Sequence, residues 1–300
     1  MTDSGNIQDI FPPAQLGIIG YGIVGQALAY GFTTASKGRD VIRFYDKFKK
    51  SLPLPEVIEK SEFIFLGLPT PMKKDESGID LSIVDEMVKE ITNYTDNTDK
   101  VIIIKSTVVP GTTRKYQALY PHSNFCFNPE FLTEANFLED FLNAKRTIIG
   151  ASSDLVSRRV AVLYKERFLE TQIFQTDPTT AETVKYFANA FLALKVTFAN
   201  IFYDLCKELD INYDEVKRLA TTDPRIGNSH LDVTATRGFG QKCFPKDMVA
   251  LLGEAHELGV DVKVLEAAWE YNKKIRKDHD WEEIPFAVSE IKNKELSSKN

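Results

Sequence analysis

A single thiol, Cys243, stands in the run Gly238-Phe239-Gly240-Gln241-Lys242-Cys243-Phe244-Pro245-Lys246-Asp247. Glycines loosen the turn ahead of it, lysines flank it on both sides, and a carboxylate, Asp247, follows four residues on. Nearby ammonium groups favour the charged sulfur and lower a thiol pKa that starts near ~8.5. These residue types therefore make Cys243 a candidate nucleophile. For a lone cysteine the commoner reading is a buried structural thiol, and the run by itself leaves both open.

The elements that would position such a thiol begin at the other end of the chain. Residues 16–25 read Leu-Gly-Ile-Ile-Gly-Tyr-Gly-Ile-Val-Gly, an apolar strand running into Gly20, Gly22 and Gly25 with Ile23 and Val24 between them. That is the spacing of a dinucleotide-binding turn. The first glycine permits a tight turn, the second lets backbone approach a pyrophosphate, and the third lets the next helix sit close to the strand. The helix amino terminus then faces the phosphates. A second strand, 41–45, ends in Asp46, placed to hydrogen-bond a ribose hydroxyl and so to select NAD over NADP. Lys47 beside it leaves room for NADP.

Short β-branched and aromatic runs at 16–19, 41–45, 63–68, 101–105, 125–127 and 147–150 alternate with helical patterns. This predicts an α/β fold, an N-terminal Rossmann-type doubly wound parallel sheet spanning 1–178 with ligands at the carboxyl ends of its strands. Two of those ends carry hydroxyls, Thr70 and Thr107, in turns whose Pro and Gly turn chemistry already explains. From 179 to 209 the pattern changes to apolar residues at three- and four-residue steps, the mark of one long amphipathic helix of about 46 Å. It opens an all-helical central and dimerisation domain, 179–277. Lys185 and Asn189 lie four apart on one flank of that helix, so both can face one ligand atom, although such a pair is more often solvated surface. Further helices are predicted at 210–219, 247–258 and 262–277, with a charged tail over 278–300.

The totals exclude several classes. A chain of 300 residues suits two domains, and its hydrophobic (43%) and charged (27%) fractions are those of an ordinary soluble globule. A net charge of -6 argues against nucleic acid or an anionic membrane as partner. Three cysteines, with no CxxC pair among them, disfavour a disulfide framework and a zinc site, so no metal is expected. Residues 1–10 lack the basic and apolar regions of a signal peptide, and no apolar run approaches membrane-span length, which points to the cytoplasm.

Taken in order, several motifs resemble the nucleotide-sugar dehydrogenases of the UDP-glucose/GDP-mannose 6-dehydrogenase family. They are Gly20-Tyr-Gly-Ile-Val-Gly25, Gly67-Leu-Pro-Thr-Pro71 with Ser77-Gly-Ile-Asp-Leu-Ser82, Lys105-Ser-Thr107, Asn128-Pro-Glu-Phe-Leu132 with Glu134, residues 181–189, Asp223-Pro-Arg-Ile-Gly227, and the cysteine run, together covering about 15–275. The resemblance implies four-electron oxidation of a sugar C6 hydroxyl to a carboxylate with two NAD and no release of aldehyde. It implies that Cys243 captures the aldehyde as a thiohemiacetal, which a second oxidation turns into a thioester for water to hydrolyse. By the same resemblance Lys185 and Asn189 stabilise developing negative charge, Asp247 orients the water and the lysine, Thr107 and Glu134 hold the water, and Glu130 supports acid–base transfer. Phe131, Leu132 and Gly240 then lie against the sugar and phosphates, with Glu130, Lys185 and Asn189 also touching substrate. Thr70, Thr107, Glu134 and Lys246 lie near the cofactor. Arg225 reaches the substrate of a neighbouring subunit, which makes a homodimer part of the site. Apart from the motif, Glu130 and Glu134 read as surface charge on a short helix.

Three departures from the family pattern stand out. Gln241-Lys242 replaces the small pair before the cysteine, Asn200-Ile201 replaces Asn-Glu on the long helix, and the sequence stops before the family's further base-gripping domain, as expected of a naturally shortened enzyme, an excised piece of a longer one, or one half of a split protein. UDP-glucose is the first expectation for substrate, converted to UDP-glucuronate, by family frequency alone. Two other readings compete: a two-electron 3-hydroxy-acid dehydrogenase, which has no use for the thiol, and a non-catalytic scaffold.

Overall fold

The computed structural model describes residues 11–289. The opening segment read above for a signal peptide (1–10) and the lysine-rich end of the charged tail (290–300) lie outside the described residues. The described chain divides into two compact units, one made of the residues up to Thr70 with Leu81–Lys185, the other of Pro71–Asp80 with the residues from Tyr186 onward.

In the first unit β1 (Gln15–Ile19), β2 (Val41–Tyr45), β3 (Phe63–Leu66), β4 (Val101–Ile104), β5 (Asn124–Phe127), β6 (Arg146–Ala151) and β7 (Gln172–Thr176) form one sheet in the order β2-β1-β3-β4-β5-β6-β7. Helices α1 (Ile23–Ala35), α2 (Leu54–Glu59), α3 (Ser82–Thr95), α4 (Thr112–Leu119), α5 (Phe137–Leu142) and α6 (Asp154–Arg167) connect the strands. The sequence fits this burial. β3 and β4 read Phe-Ile-Phe-Leu and Val-Ile-Ile-Ile, and every one of these residues is buried, as expected of strands covered on both faces. Phe63, Phe65, Val101 and Ile103 join Phe32, Phe141, Tyr164 and Phe168 on one face, while Ile64, Leu66, Ile102 and Ile104 join Val88, Ile91 and Phe125 on the other. Phe32 is fully buried among four aromatic rings at 5.3–6.1 Å, and burying such a side chain stabilises the unit by about 2–3 kcal/mol.

The sheet differs from the all-parallel expectation in one place. β6 runs antiparallel to β5, pairing Cys126 with Ala151 and Phe127 with Gly150. β7, which the sequence reading missed, then pairs parallel with β6. It reads Gln-Ile-Phe-Gln-Thr with none of its residues buried, so it lacks the apolar run that betrays central strands.

The long helix α7 (Pro178–Glu208) has 31 residues, and the division between the units falls inside it, after Lys185. The second unit adds α8 (Tyr213–Ala220), α9 (Cys243–Glu257) and α10 (Lys263–Ile275). Its core holds Phe239, Met248, Val249, Leu252, Trp269 and Trp281. Residues 278–289, read from the sequence as the start of a charged tail, pack against the second unit's core. Asp280–Glu282 forms a 3-10 turn, Trp281 packs 5.4 Å from Trp269, and Val288 bridges to Met72. Among the described residues no helix is long and apolar enough to cross a membrane.

Candidate active site

The glycine turn is built as a cradle. Gly20 takes φ +90°, a conformation that favours glycine, and its carbonyl lies where Gly25 must pass: a Cβ on Gly25 would come within 2.2 Å of it. Gly22, in contrast, would meet nothing within 4 Å, so the backbone is open on that side. α1 starts at Ile23 with no side chain capping it and no acidic residue in its first turn, which leaves its N–H groups to an incoming anion. Val24 is half-buried and packs against the core. Asp46 ends β2, where its carboxylate accepts from the backbone N–H of Tyr21 (2.8 Å) and of Phe48 (2.9 Å). Both bonds fix the carboxylate beside the glycine turn. A pyrophosphate over an open helix amino terminus and a ribose at a fixed carboxylate are the needs of NAD, and the residues fit them. Thr70 is buried at the end of the segment that follows β3; Thr107 is half-buried just after β4.

Glu130, Phe131 and Leu132 follow β5. Here the expected short helix is absent: no helical residue occurs before Phe137, and Glu134 sits half-buried in a turn. The segment is shaped by bonds of its own instead. Lys185 Nζ donates to the carbonyl of Glu130 at 2.5 Å and lies 5.5 Å from the Phe131 ring centre, over which the Arg146 guanidinium also sits, at 4.7 Å. The Glu130 carboxylate accepts from the Phe131 N–H (2.8 Å) and pairs with Lys105 Nζ (3.1 Å). Lys105 is itself buried, with 3% of its side chain exposed, and also donates to Asn128 Oδ1 (3.0 Å). Tyr164 Oη donates to the same oxygen (2.6 Å), while the Asn128 amide donates to Thr147 Oγ1 and the Ile148 carbonyl. An ammonium taken out of water needs this company. A cavity of about 290 Å³ adjoins the cluster, walled by Phe131, Phe141, Tyr164 and Phe168.

In the second unit Cys243 occupies the first residue of α9 rather than a turn ahead of it, so the helix begins four residues earlier than the sequence pattern places it. No side chain caps this helix and no acidic residue falls in its first turn. A sulfur there sits at the positive end of the helix dipole, which favours the thiolate. One turn on, Asp247 is buried between two partners: Asn189 Nδ2 donates to Oδ2 at 2.5 Å, and the Lys246 ammonium pairs with Oδ1. Lys246 is therefore engaged with Asp247 rather than extended into solvent. Arg225 is exposed and pairs with Asp223, two residues away in its own chain.

The cysteine loop rests on residues to which the sequence assigns no catalytic or binding role. Asn272 of α10 brackets Phe239, accepting from its N–H (2.7 Å) and donating to its carbonyl (2.9 Å). Asn200 of α7 accepts from Arg237 Nε (2.6 Å) and from the Gly238 N–H (3.3 Å), while Ile201, the departing position, is exposed. Arg276 and Asp280 complete the support, donating to the Arg237 carbonyl and accepting from the Gln241 N–H. These residues lie tens of positions from the thiol, and only the packed fold reveals them. Lys105 was within reach of sequence reasoning, since it stands inside a quoted motif, but its burial was not.

A doubly wound sheet with an open glycine cradle, a buried lysine-supported loop after β5, and a separate helical unit with a thiol at a helix start define a two-unit NAD-binding protein. The comparisons place it more closely. The model of the UDP-glucose/GDP-mannose dehydrogenase family, NAD binding domain, matches residues 43–168, and that of the family's central domain matches 179–274. The chain belongs to this family. UDP-glucose 6-dehydrogenase TuaD of Bacillus subtilis is 33% identical over 251 residues, covering 81% of this chain and 53% of that protein. UDP-glucose 6-dehydrogenase of Rickettsia felis is 35% identical over 224 residues, covering 72% and 48%. The solved structure of a UDP-glucose dehydrogenase from Pyrobaculum islandicum is similar with a TM-score of 0.79 at 25% identity, over 91% of this chain and 70% of that one. The chain spans about half the length of the curated relatives it matches.

Proposed function

We propose that the protein oxidises the C6 hydroxyl of a nucleotide sugar to the carboxylate, with UDP-glucose the first candidate, through a covalent intermediate on Cys243. The observation that carries this reading is the first turn of α9. It holds a thiol at its first residue and, one turn later, a buried carboxylate engaged by Asn189 and Lys246. A thiol with no chemical task needs neither the helix terminus nor the neighbouring charge pair.

The roles follow from the chemistry of each group. NAD, when bound, accepts a hydride from C6 in each of two rounds. In the first, the hydroxyl proton leaves to a base or an ordered water while Lys185 and Asn189 stabilise the charge gathering on oxygen. Cys243 then adds to the aldehyde carbon: a C–S bond forms, the carbonyl becomes a hydroxyl, and the thiohemiacetal stays attached. Loss of the second hydride and of the hydroxyl proton leaves a thioester. Water adds to it, the C–S bond breaks, and carboxylate and thiol are released. Asp247 orients that water and Lys185, Thr107 and Glu134 hold it near C6, and Glu130 moves a proton or keeps Lys185 in place. Phe131, Leu132 and Gly240 contact the sugar and phosphates, and Thr70 and Lys246 serve the cofactor side.

The proposal extends to a homodimer in which Arg225 serves the partner's substrate. α7 supports a second copy: Phe187, Phe191, Phe198, Ile201 and Leu205 are exposed at three- to seven-residue steps along it. Sedimentation should give a dimer, and Phe191→Glu with Phe198→Glu should give monomer. The chemistry is tested by incubating the protein with NAD and a panel of UDP and GDP sugars and scoring NADH per sugar consumed. Two NADH per sugar is the expected result. One NADH per sugar with Cys243→Ala still active would reject the covalent route.

A further inference from the structure

We infer that Arg276, on no motif of the sequence, is the positioning residue for the loop that delivers Cys243, and that Gly240 is glycine because it must lie flat on the Arg276 guanidinium. The inference deepens the function proposed above and rests on it for the role of the thiol.

Residues 237–241 are held in a costly shape. Arg237 (φ +57°), Gly238 (φ +53°) and Gln241 (φ +61°) all take the left-handed conformation, and two of these three carry side chains. Such conformations persist only where surrounding structure over-determines them. The surroundings do so bond by bond. Arg276 Nη1 donates to the carbonyl of Arg237 (2.9 Å) and to Thr236 Oγ1 (3.2 Å). Its Nη2 pairs with Asp280 Oδ2 (2.8 Å), and the other oxygen of Asp280 accepts from the Gln241 N–H (3.0 Å). Thus one arginine grips the loop at its entry and, through Asp280, at the residue two before the thiol. Between the two grips a Cβ on Gly240 would fall 2.3 Å from three guanidinium atoms, so that residue's backbone rests against the ion.

Bulk stability does not explain this arginine. It is a cation with 6% exposure whose Nε has no hydrogen-bond partner, and an unmade bond on a buried charged group is destabilising. An apolar residue would fill the space without that cost. What an apolar residue cannot do is donate to the Arg237 carbonyl and orient Asp280 toward Gln241. The geometry therefore assigns Arg276 to fixing the loop rather than filling the core.

The test uses the full chain with Arg276→Gln, Arg276→Lys, Asp280→Asn and Gly240→Ala. Amide hydrogen exchange read by mass spectrometry needs no turnover. Exchange over 237–242 should rise at least tenfold in Arg276→Gln and Gly240→Ala, less in Asp280→Asn, and return toward the parent in Arg276→Lys, while 244–257 and the glycine cradle stay as in the parent. In turnover, Arg276→Gln should keep the first NADH and its KM for NAD but slow the second at least tenfold, moving the yield from two toward one. Parent-like exchange over 237–242 in both Arg276→Gln and Gly240→Ala would overturn the inference. So would an equal slowing of both NADH steps. If Arg276→Gln does not fold, Gly240→Ala disturbs the same contact from the other side and decides it. If the parent protein oxidises no nucleotide sugar, the proposed function fails while the exchange result still decides the role of Arg276.

Discussion

The cofactor cradle and the thiol loop solve the same problem, holding backbone in an improbable shape, by opposite means. In the cradle the shape comes from what is missing: Gly20 can turn at φ +90° and Gly25 can pass under its carbonyl because neither has a side chain. In the loop the shape comes from what is added from afar: Asn272, Arg276, Asp280 and Asn200 bind the main chain of 237–241 group by group. The first device is local and costs only backbone entropy. The second is long-range and rests on several partners at once. A thiol with the role proposed for Cys243 gains from the second kind, since the clamps can be tuned without touching the thiol itself.

The sharpest way to break the comparison is Cys243→Ala. If the thiol is what the clamps serve, conversion of sugar to carboxylate should fall by roughly a thousandfold or more. NAD affinity, a property of the cradle, should be unchanged by fluorescence titration. Loss of both together would mean that the two regions are not separable.

Next in size is Asn272→Ala. It leaves the buried N–H and carbonyl of Phe239 unpaired and should cost about 2–4 kcal/mol, read as a lower midpoint in urea with the same slope. Gly22→Ala tests the cradle by the reverse logic. A methyl there meets no protein atom within 4 Å and the residue already has φ -76°, so the melting temperature should not move. The methyl should still crowd a bound pyrophosphate and weaken NAD by about tenfold, some 1.4 kcal/mol. Gly25→Ala, with 2.2 Å to the Gly20 carbonyl, should lower both stability and affinity.

That contrast explains how much the sequence could tell. Glycine spacing, the strand-ending Asp46 and the period of α7 are short-range patterns, so the Rossmann-type sheet, its strand positions and the long helix were legible. β7 was not, because an edge strand carrying two glutamines shows no buried face. Apart from the motif, Glu130 and Glu134 read as surface charge on a short helix, yet Glu130 is held by Lys105 and Lys185, partners 25 and 55 residues away. The helix read from 247 onward begins instead at Cys243, and Pro245 is well tolerated in a first helical turn. Residues 278–289 read as charged tail, yet Trp281 is buried against Trp269.

The smallest effect concerns a thiol that should do nothing. Cys126 lies in β5, fully buried; burial pushes its pKa up to about 12, although the Lys105 ammonium pulls the other way. Below the ordinary thiol value, near ~9, folded and unfolded chains both keep the proton, so Cys126 adds no pH dependence at neutrality. Between that value and about 12 the unfolded chain loses the proton while the folded chain keeps it, so stability present below the window declines as pH rises, by up to about 1.4 kcal/mol per pH unit. Cys126→Ala should cost stability at every pH through the cavity it leaves, but should flatten the slope of unfolding free energy between pH 9 and 10 relative to the parent. The same burial should keep Cys126 unlabelled by iodoacetamide at pH 9 while Cys243, half-exposed at a helix start, is labelled. Labelling of Cys126 in the folded protein, or an unchanged slope in Cys126→Ala, would mean that the sheet interior admits water at β5. The contrast between a sealed sheet and a reactive helix start would then lose its ground.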